Sequence, residues 1–174
     1  RAGSEARIRN DLYLVGAVKL MYSRVLHEDV RLVGYEVPLQ TGQKRGNCID
    51  LFGYDEEHNP YIIELKTGVS GDDLPKIIKQ INDYETMLIP HLSNIETEIR
   101  EKLFLAEFQL TRKVKKIILA SREYYDKNPW KAYKESDILF CYFYGKENVD
   151  DLVEKATGEK IVSLSIHNKP KKGA

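Results

Sequence analysis

Apolar residues recur along this chain at two spacings, one typical of helices and one typical of strands. Helical spacing predicts helices over residues 4–27, 72–88 and 94–108, with shorter helices near 130–134 and 149–156. Runs rich in β-branched and aromatic residues predict strands over 30–39, 48–54, 61–66, 114–121 and 137–144. The expected order is α-β-β-β-α-α-β-(α)-β. We therefore expect an α/β domain of the layered α+β type, with a mixed central sheet of about five strands and helices on both faces.

The predicted hairpin of the strands at 48–54 and 61–66 carries the main functional signal. If its turn is centred on Glu57, Asp50 lies opposite Glu64, with Cβ atoms about 4.5–5.5 Å apart, and Lys66 shares the face of Glu64. Two carboxylates held this close repel each other unless a cation lies between them. This spacing predicts a divalent metal beside Lys66. A one-residue slip would separate the two acids and leave a surface hairpin with solvated charges, which is the alternative interpretation.

Composition bounds the possible functions. The 174 residues include 27 basic and 27 acidic side chains, so net charge gives no general attraction to nucleic acid, and such contacts would need local basic patches. Cys48 and Cys141 are expected to be free thiols in a reducing compartment, which favours a cytoplasmic location. No apolar run of membrane-spanning length and no signal peptide is found, and the four histidines lack zinc-ligand spacing. We expect a single domain over residues 1–168, with a disordered basic tail at 169–174.

The candidate residues follow in a fixed order along the chain: Asp50, then Glu64-Leu65-Lys66, then a helix carrying Gln80 and Tyr84. This ordered set resembles the PD-(D/E)XK nuclease superfamily. The Gln-x-x-x-Tyr pair is similar to the RecB-like branch, and residues 4–88 resemble the nuclease domain of NucS-type endonucleases. Ile49 stands where the family name has proline, and the chain after Pro90 matches only in its order of elements.

This resemblance implies a restriction-endonuclease-like core and a Mg²⁺-dependent phosphodiesterase, expected to be a DNA endonuclease, with Mn²⁺ as a substitute metal. The implied metal ligands are Asp50, Glu64 and the Leu65 carbonyl, with Glu5 as a candidate addition. Lys66 would act either as a base or as an electrostatic stabiliser. The implied partner is nucleic acid, and a homodimer or a further domain in a longer chain stays open.

Several residues have a simpler interpretation beside the functional one. Glu5 is also a favourable acid at a helix N-terminus, and Glu36 is expected to be a strand-edge charge with an active-site role as the alternative. Tyr84 is also a suitable core aromatic. The candidate phosphate contacts are Lys44, Arg45, Lys76 and Lys79, and their simpler interpretation is as solvated surface charges. The competing functions are a catalytically silent nucleic-acid-binding or scaffolding module on the same fold, and an unrelated domain with a coincidental motif.

Overall fold

The computed structural model describes residues 3–21, 27–39, 48–133, 135–143 and 161–166. Their helices and strands follow in chain order: α1 (Gly3–Val15), β1 (Ala17–Met21), β2 (His27–Pro38), β3 (Cys48–Tyr54), β4 (Pro60–Lys66), α2 (Leu74–Leu88), α3 (Leu92–Leu103), β5 (Lys115–Ala120), α4 (Arg122–Lys127), β6 (Ile138–Phe143) and β7 (Ile161–Ile166). Short 3-10 turns lie at Ile89–His91 and Trp130–Tyr133.

The strands form one mixed sheet. Strands β1 to β4 pair antiparallel in sequence order, β5 and β6 add in parallel to β4, and β7 pairs antiparallel with β6. Because β7 also pairs in parallel with β1, the hydrogen-bonded series returns to its first strand. The predicted mixed sheet with helices is therefore confirmed. The five predicted strands correspond to β2 to β6, and β1 and β7 extend them.

The core lies in two apolar layers, one on each side of the β3–β5 region. Side chains of α1 pack on one layer, and those of α2, α3 and α4 pack on the other, so helices cover both faces as expected. Alternate residues of β4 divide between the layers: Ile63 and Leu65 face α1, whereas Ile62 faces α2. Glu64 and Lys66 follow Ile62 at two-residue spacing. These two charged side chains therefore belong to the α2 face, as the hairpin pattern predicts.

The prediction that the first helix continues to residue 27 is wrong. The helix ends at Val15 because Gly16 adopts a left-handed φ of 82°, and its N–H donates to the Leu12 carbonyl at 3.1 Å. The chain then enters β1, where pairing with β2 and β7 outweighs the helical spacing of the apolar residues. Tertiary pairing here overrides a local pattern.

Two later helices also differ from the prediction. The third predicted helix ends at Leu103 rather than residue 108, because Phe104 is left-handed at φ 54° and caps the helix. The helix α4 was not predicted, although Ser121 caps it by accepting the Tyr124 N–H at 3.2 Å. The predicted helix at 149–156 and the basic tail lie outside the described residues.

Cys48 and Cys141 are both free thiols, with Cys141 fully buried. Burial raises the pKa of Cys141, so it behaves as a small apolar core residue. Among the residues that the structure describes, no helix has the length and apolar character that crossing a bilayer requires.

We expect Gly53→Ala to destabilise the sheet. A Cβ at Gly53 would lie 2.3 Å from the Arg31 carbonyl oxygen and 3.0 Å from a methyl of Val30, so the β2 backbone would have to move. The free energy of unfolding should fall by about 2–3 kcal/mol, as for other overpacked core sites. Urea denaturation measures the change.

The matched control is Gly71→Ala. A Cβ there has no heavy atom within 4 Å, and the free energy of unfolding should stay the same or rise by up to about 1 kcal/mol. Equal effects of the two substitutions would contradict the close packing of β2 on β3.

Candidate active site

The turn between β3 and β4 sets the register of the hairpin. Asp55 is buried, and its Oδ1 accepts the N–H groups of Glu57 at 3.0 Å and Asn59 at 2.9 Å. Burial alone would raise the pKa of Asp55, but bonds to Asn59 and the charge of Lys115 lower it below its ordinary range. The ionised side chain therefore organises the turn. The resulting ladder pairs Tyr54 with Pro60 and continues to Leu51 opposite Ile63.

Beyond the last backbone pair, β3 and β4 are linked by a hydrogen bond to the side chain of Asp50. The backbone pairing of β3 and β4 ends at Leu51 and Ile63, and one position further Asp50 Oδ2 accepts the Leu65 N–H at 2.9 Å. This contact brings the Asp50 carboxylate to the strand segment that carries Glu64. Because the N–H and C=O of a strand residue point toward the same neighbour, the Leu65 carbonyl also faces the β3 side.

Glu64 is the most deeply buried charged group of the site, with 3% of its surface exposed. Its Oε1 lies 3.2 Å from Lys66 Nζ, and its buried Oε2 has no hydrogen-bond partner among the described residues. Burial and then the charge of Asp50 raise the pKa of Glu64 to about 8, and the Lys66 ammonium offsets only part of this. At neutral pH, without a further cation, this carboxyl therefore holds its proton.

Lys66 remains protonated in this environment. Burial alone would lower its pKa, but the carboxylates of Glu64, Asp50 and Glu5 outweigh burial and raise it. The contribution of Glu64 is largely absent at a pH where Glu64 is itself protonated. The charges of Asp50 and Glu5 also favour the ammonium, so Lys66 is a fixed positive charge beside the two acids.

Gln80 and Tyr84 lie on α2 and approach the same site. Asp73 caps this helix by accepting the Lys76 N–H at 3.0 Å. The amide of Gln80 donates a hydrogen bond to the hydroxyl of Tyr84. Tyr84 as a whole residue is 2% exposed. Burial raises the pKa of Tyr84, and the charges of Glu64 and Asp50 raise it further, whereas the Gln80 bond acts in the opposite direction. Tyr84 is thus both a core aromatic and a neighbour of the two acids.

Helix α1 contributes two further charged groups. Glu5 Oε1 accepts the Thr67 N–H at 2.9 Å and its hydroxyl at 3.0 Å, directly after Lys66 in the chain. One helical turn later, Arg9 Nη1 lies 2.9 Å from Asp50 Oδ1, and Arg9 Nη2 lies 2.6 Å from Glu36 Oε1. Arg9 was not among the residues predicted from the sequence, although its position four residues after Glu5 places both on one face of the helix.

Glu36 adjoins the site from β2. The β2–β3 register sets it opposite Asp50, between the pairs Tyr35 with Leu51 and Val37 with Ile49. Glu36 has a left-handed φ of 46°, a conformation that costs a side-chain-bearing residue about 1–3 kcal/mol. Glu36 is therefore an exposed partner of Arg9 near Asp50, and its active-site role stays a prediction.

Comparisons with protein-family models, curated proteins and solved structures found no match. No group of three or more His, Cys, Asp or Glu side chains is arranged to hold a metal ion in the part of the chain that the structure describes. Asp50 and Glu64 are brought together, whereas Glu5 is directed to Thr67. The unpartnered, buried Glu64 Oε2 is the feature that fits a cation.

The candidate phosphate-binding lysines give no added support. Both lysines are exposed on α2: Lys76 pairs with Asp72, which precedes the helix, and Lys79 pairs with Asp83 at 2.6 Å. Such exposed pairs are screened by solvent. Lys44 and Arg45 lie outside the described residues.

We expect Glu64→Gln to stabilise the metal-free protein at alkaline pH. The folded-state pKa of Glu64 lies above its ordinary value of 4.5, so the unfolded chain binds fewer protons between pH 4.5 and about 8. Wild-type stability therefore falls through this window, by at most about 1.4 kcal/mol per pH unit, and the amide removes that loss. Urea denaturation in EDTA at pH 5 and pH 9 measures the difference.

The control is Glu98→Gln, at a side chain that is 68% exposed on α3. Its effect should be small at both pH values. If Glu64→Gln gains no stability over wild type between pH 5 and pH 9, Glu64 is not the buried, proton-holding carboxyl described above.

Proposed function

We propose that this chain is a metal-dependent nuclease of the PD-(D/E)XK type, with a restriction-endonuclease-like core, that hydrolyses phosphodiester bonds in DNA. The observation that carries the proposal is the close approach of Asp50, Glu64 and Lys66, with the Gln80–Tyr84 pair of α2 beside them. This is the ordered set that resembles the superfamily. The set is assembled by contacts between residues far apart in the chain.

The groups that would hold Mg²⁺ are the carboxylates of Asp50 and Glu64 and the Leu65 carbonyl. Oxygen ligands of this kind suit Mg²⁺, which keeps several of its waters. When bound, such an ion lowers the pKa of a coordinated water and balances charge on the scissile phosphate. The protein contributes two acids in fixed positions, because the Leu65 N–H orients Asp50 and burial orients Glu64.

Lys66 supplies a second positive charge at the reacting phosphate. Its raised pKa keeps the ammonium charged, which favours electrostatic stabilisation of the pentavalent transition state over proton abstraction. The contact with Glu64 Oε1 holds the ammonium in place at 3.2 Å. Tyr84 lies near the two acids on the α2 side of the site, and Gln80 donates a hydrogen bond to it.

A catalytically silent nucleic-acid-binding module is the second candidate, and one contact favours it. Arg9 already balances the charge of Asp50 at 2.9 Å, so the site is partly neutralised without any metal. A fold that had lost catalysis would keep this ion pair as a structural link between α1 and β3.

We expect wild type to cleave nucleic acid in Mg²⁺ or Mn²⁺ and to lose cleavage in EDTA. Labelled single-stranded, duplex, flapped and mismatched DNA, and RNA, serve as substrates. Asp50→Asn and Lys66→Ala should each reduce the rate by about 10²-fold or more, since each removes a charge that acts on the transition state. Asp126→Asn, at an exposed position of α4, is the matched control and should cleave like wild type.

Cleavage that survives Asp50→Asn would contradict the proposal. Metal-independent binding of these substrates, measured by fluorescence anisotropy, with no cleavage by folded wild type in either metal, would favour the silent module.

We also expect cation affinity to rise with pH. Binding at Glu64 must displace the proton that this carboxyl holds below about pH 8. The apparent dissociation constant for Mg²⁺ should therefore fall by up to about tenfold per pH unit between pH 6 and pH 8, and level off above. Calorimetry in buffers of different ionisation enthalpy measures the proton released. A pH-independent constant would show that Glu64 does not bind the cation.

A further inference from the structure

Three acidic side chains lie on neighbouring strands of the sheet, and a positive charge already occupies the first of the two spaces between them. Glu36, Asp50 and Glu64 lie on three successive strands, each one position beyond a backbone pair, either Tyr35 with Leu51 or Leu51 with Ile63. Arg9 lies in the first gap, with one terminal nitrogen 2.9 Å from Asp50 and the other 2.6 Å from Glu36. The second gap, between Asp50 and Glu64, leaves Glu64 Oε2 without a partner among the described residues.

The environment of Arg9 indicates a dedicated position. Its side chain is 16% exposed, and its buried Nε has no hydrogen-bond partner within the described part of the chain. Burial of a guanidinium costs free energy that is recovered only where carboxylates lie at close range. The planar guanidinium directs its two terminal nitrogens to two different acids, which an ammonium at one point cannot do. The left-handed backbone at Glu36 is a further cost of keeping the second acid in place.

We infer that Arg9 is a built-in counter-cation. Its guanidinium takes the place, between Glu36 and Asp50, that a second divalent cation would otherwise hold. Two-metal nucleases use a pair of ions to balance the charge of the reacting phosphate. With Arg9 fixed in this gap, the proposed site takes one divalent cation per chain, between Asp50 and Glu64. This inference rests on the nuclease function proposed above and assigns Arg9 a positioning role, because it acts through Asp50.

The number of Mn²⁺ ions bound per chain tests this role, with free Mn²⁺ measured by electron paramagnetic resonance. Wild type should bind one ion. Arg9→Gln should bind two, because the gap between Glu36 and Asp50 loses its positive charge. The double variant Arg9→Gln/Glu36→Gln should return to one ion, since the second acid is gone. Arg7→Gln, the same change at an exposed position of α1, is the matched control and should bind one ion.

Arg9→Lys keeps the charge and should also bind one ion. A count of two in wild type or in Arg9→Lys would overturn the inference, and so would a folded Arg9→Gln protein with one ion and unchanged affinity. The wild-type and Arg9→Lys counts keep the inference falsifiable even if Arg9→Gln does not fold.

Because the experiment needs no cleavage, the two proposals can fail separately. Counts of one in wild type and two in Arg9→Gln support the role of Arg9 even if no nucleic acid is cleaved. The lack of cleavage would contradict only the proposed nuclease function. Absence of Mn²⁺ binding in wild type would overturn both.

Discussion

The register of the β3–β4 hairpin is the constraint on which the rest of the site depends. The ionised, buried Asp55 fixes the turn, and the turn fixes which residues of the two strands face each other. A one-residue shift would move Glu64 and Lys66 to the α1 face, among apolar residues, at a large cost in burial. At the other end of the hairpin, beyond the last backbone pair, the Asp50 side chain accepts the Leu65 N–H. The same pairing that holds the sheet together therefore places two acids side by side.

This arrangement keeps charges close together that would be more stable apart. Glu64 is buried beside Asp50, and its raised pKa shows the cost of ionising it there. Lys66 and Arg9 each reduce that repulsion from one side. What remains is the buried Glu64 Oε2, which has no hydrogen-bond partner in the described part of the chain and which a cation would stabilise. Sites built for chemistry commonly retain such unfavourable electrostatics, because the same groups are favourable in the transition state.

The sequence predicted the parts of the fold that depend on local pattern. The alternation in β3 and β4 and the turn around Glu57 were sufficient to predict the hairpin and the proximity of Asp50, Glu64 and Lys66. The apolar stripe over residues 72–88 was sufficient to predict α2. Features that depend on distant partners were missed. The strand β1 has helical spacing of apolar residues, and only pairing with β2 and β7 makes it a strand. Arg9 contacts acids on β2 and β3 that lie far away in the sequence, and no local sequence pattern predicts such a contact.

The most direct test of the central claim is to locate a divalent cation in crystals grown with Mn²⁺, by anomalous scattering. The account predicts a peak within coordination distance of both an Asp50 oxygen and Glu64 Oε2, with Arg9 still between Asp50 and Glu36. Crystals in which the only peaks lie elsewhere, with Glu64 Oε2 unchanged at saturating Mn²⁺, would contradict the account. The hairpin would then be a structural element whose acids are balanced by Lys66 and Arg9 alone.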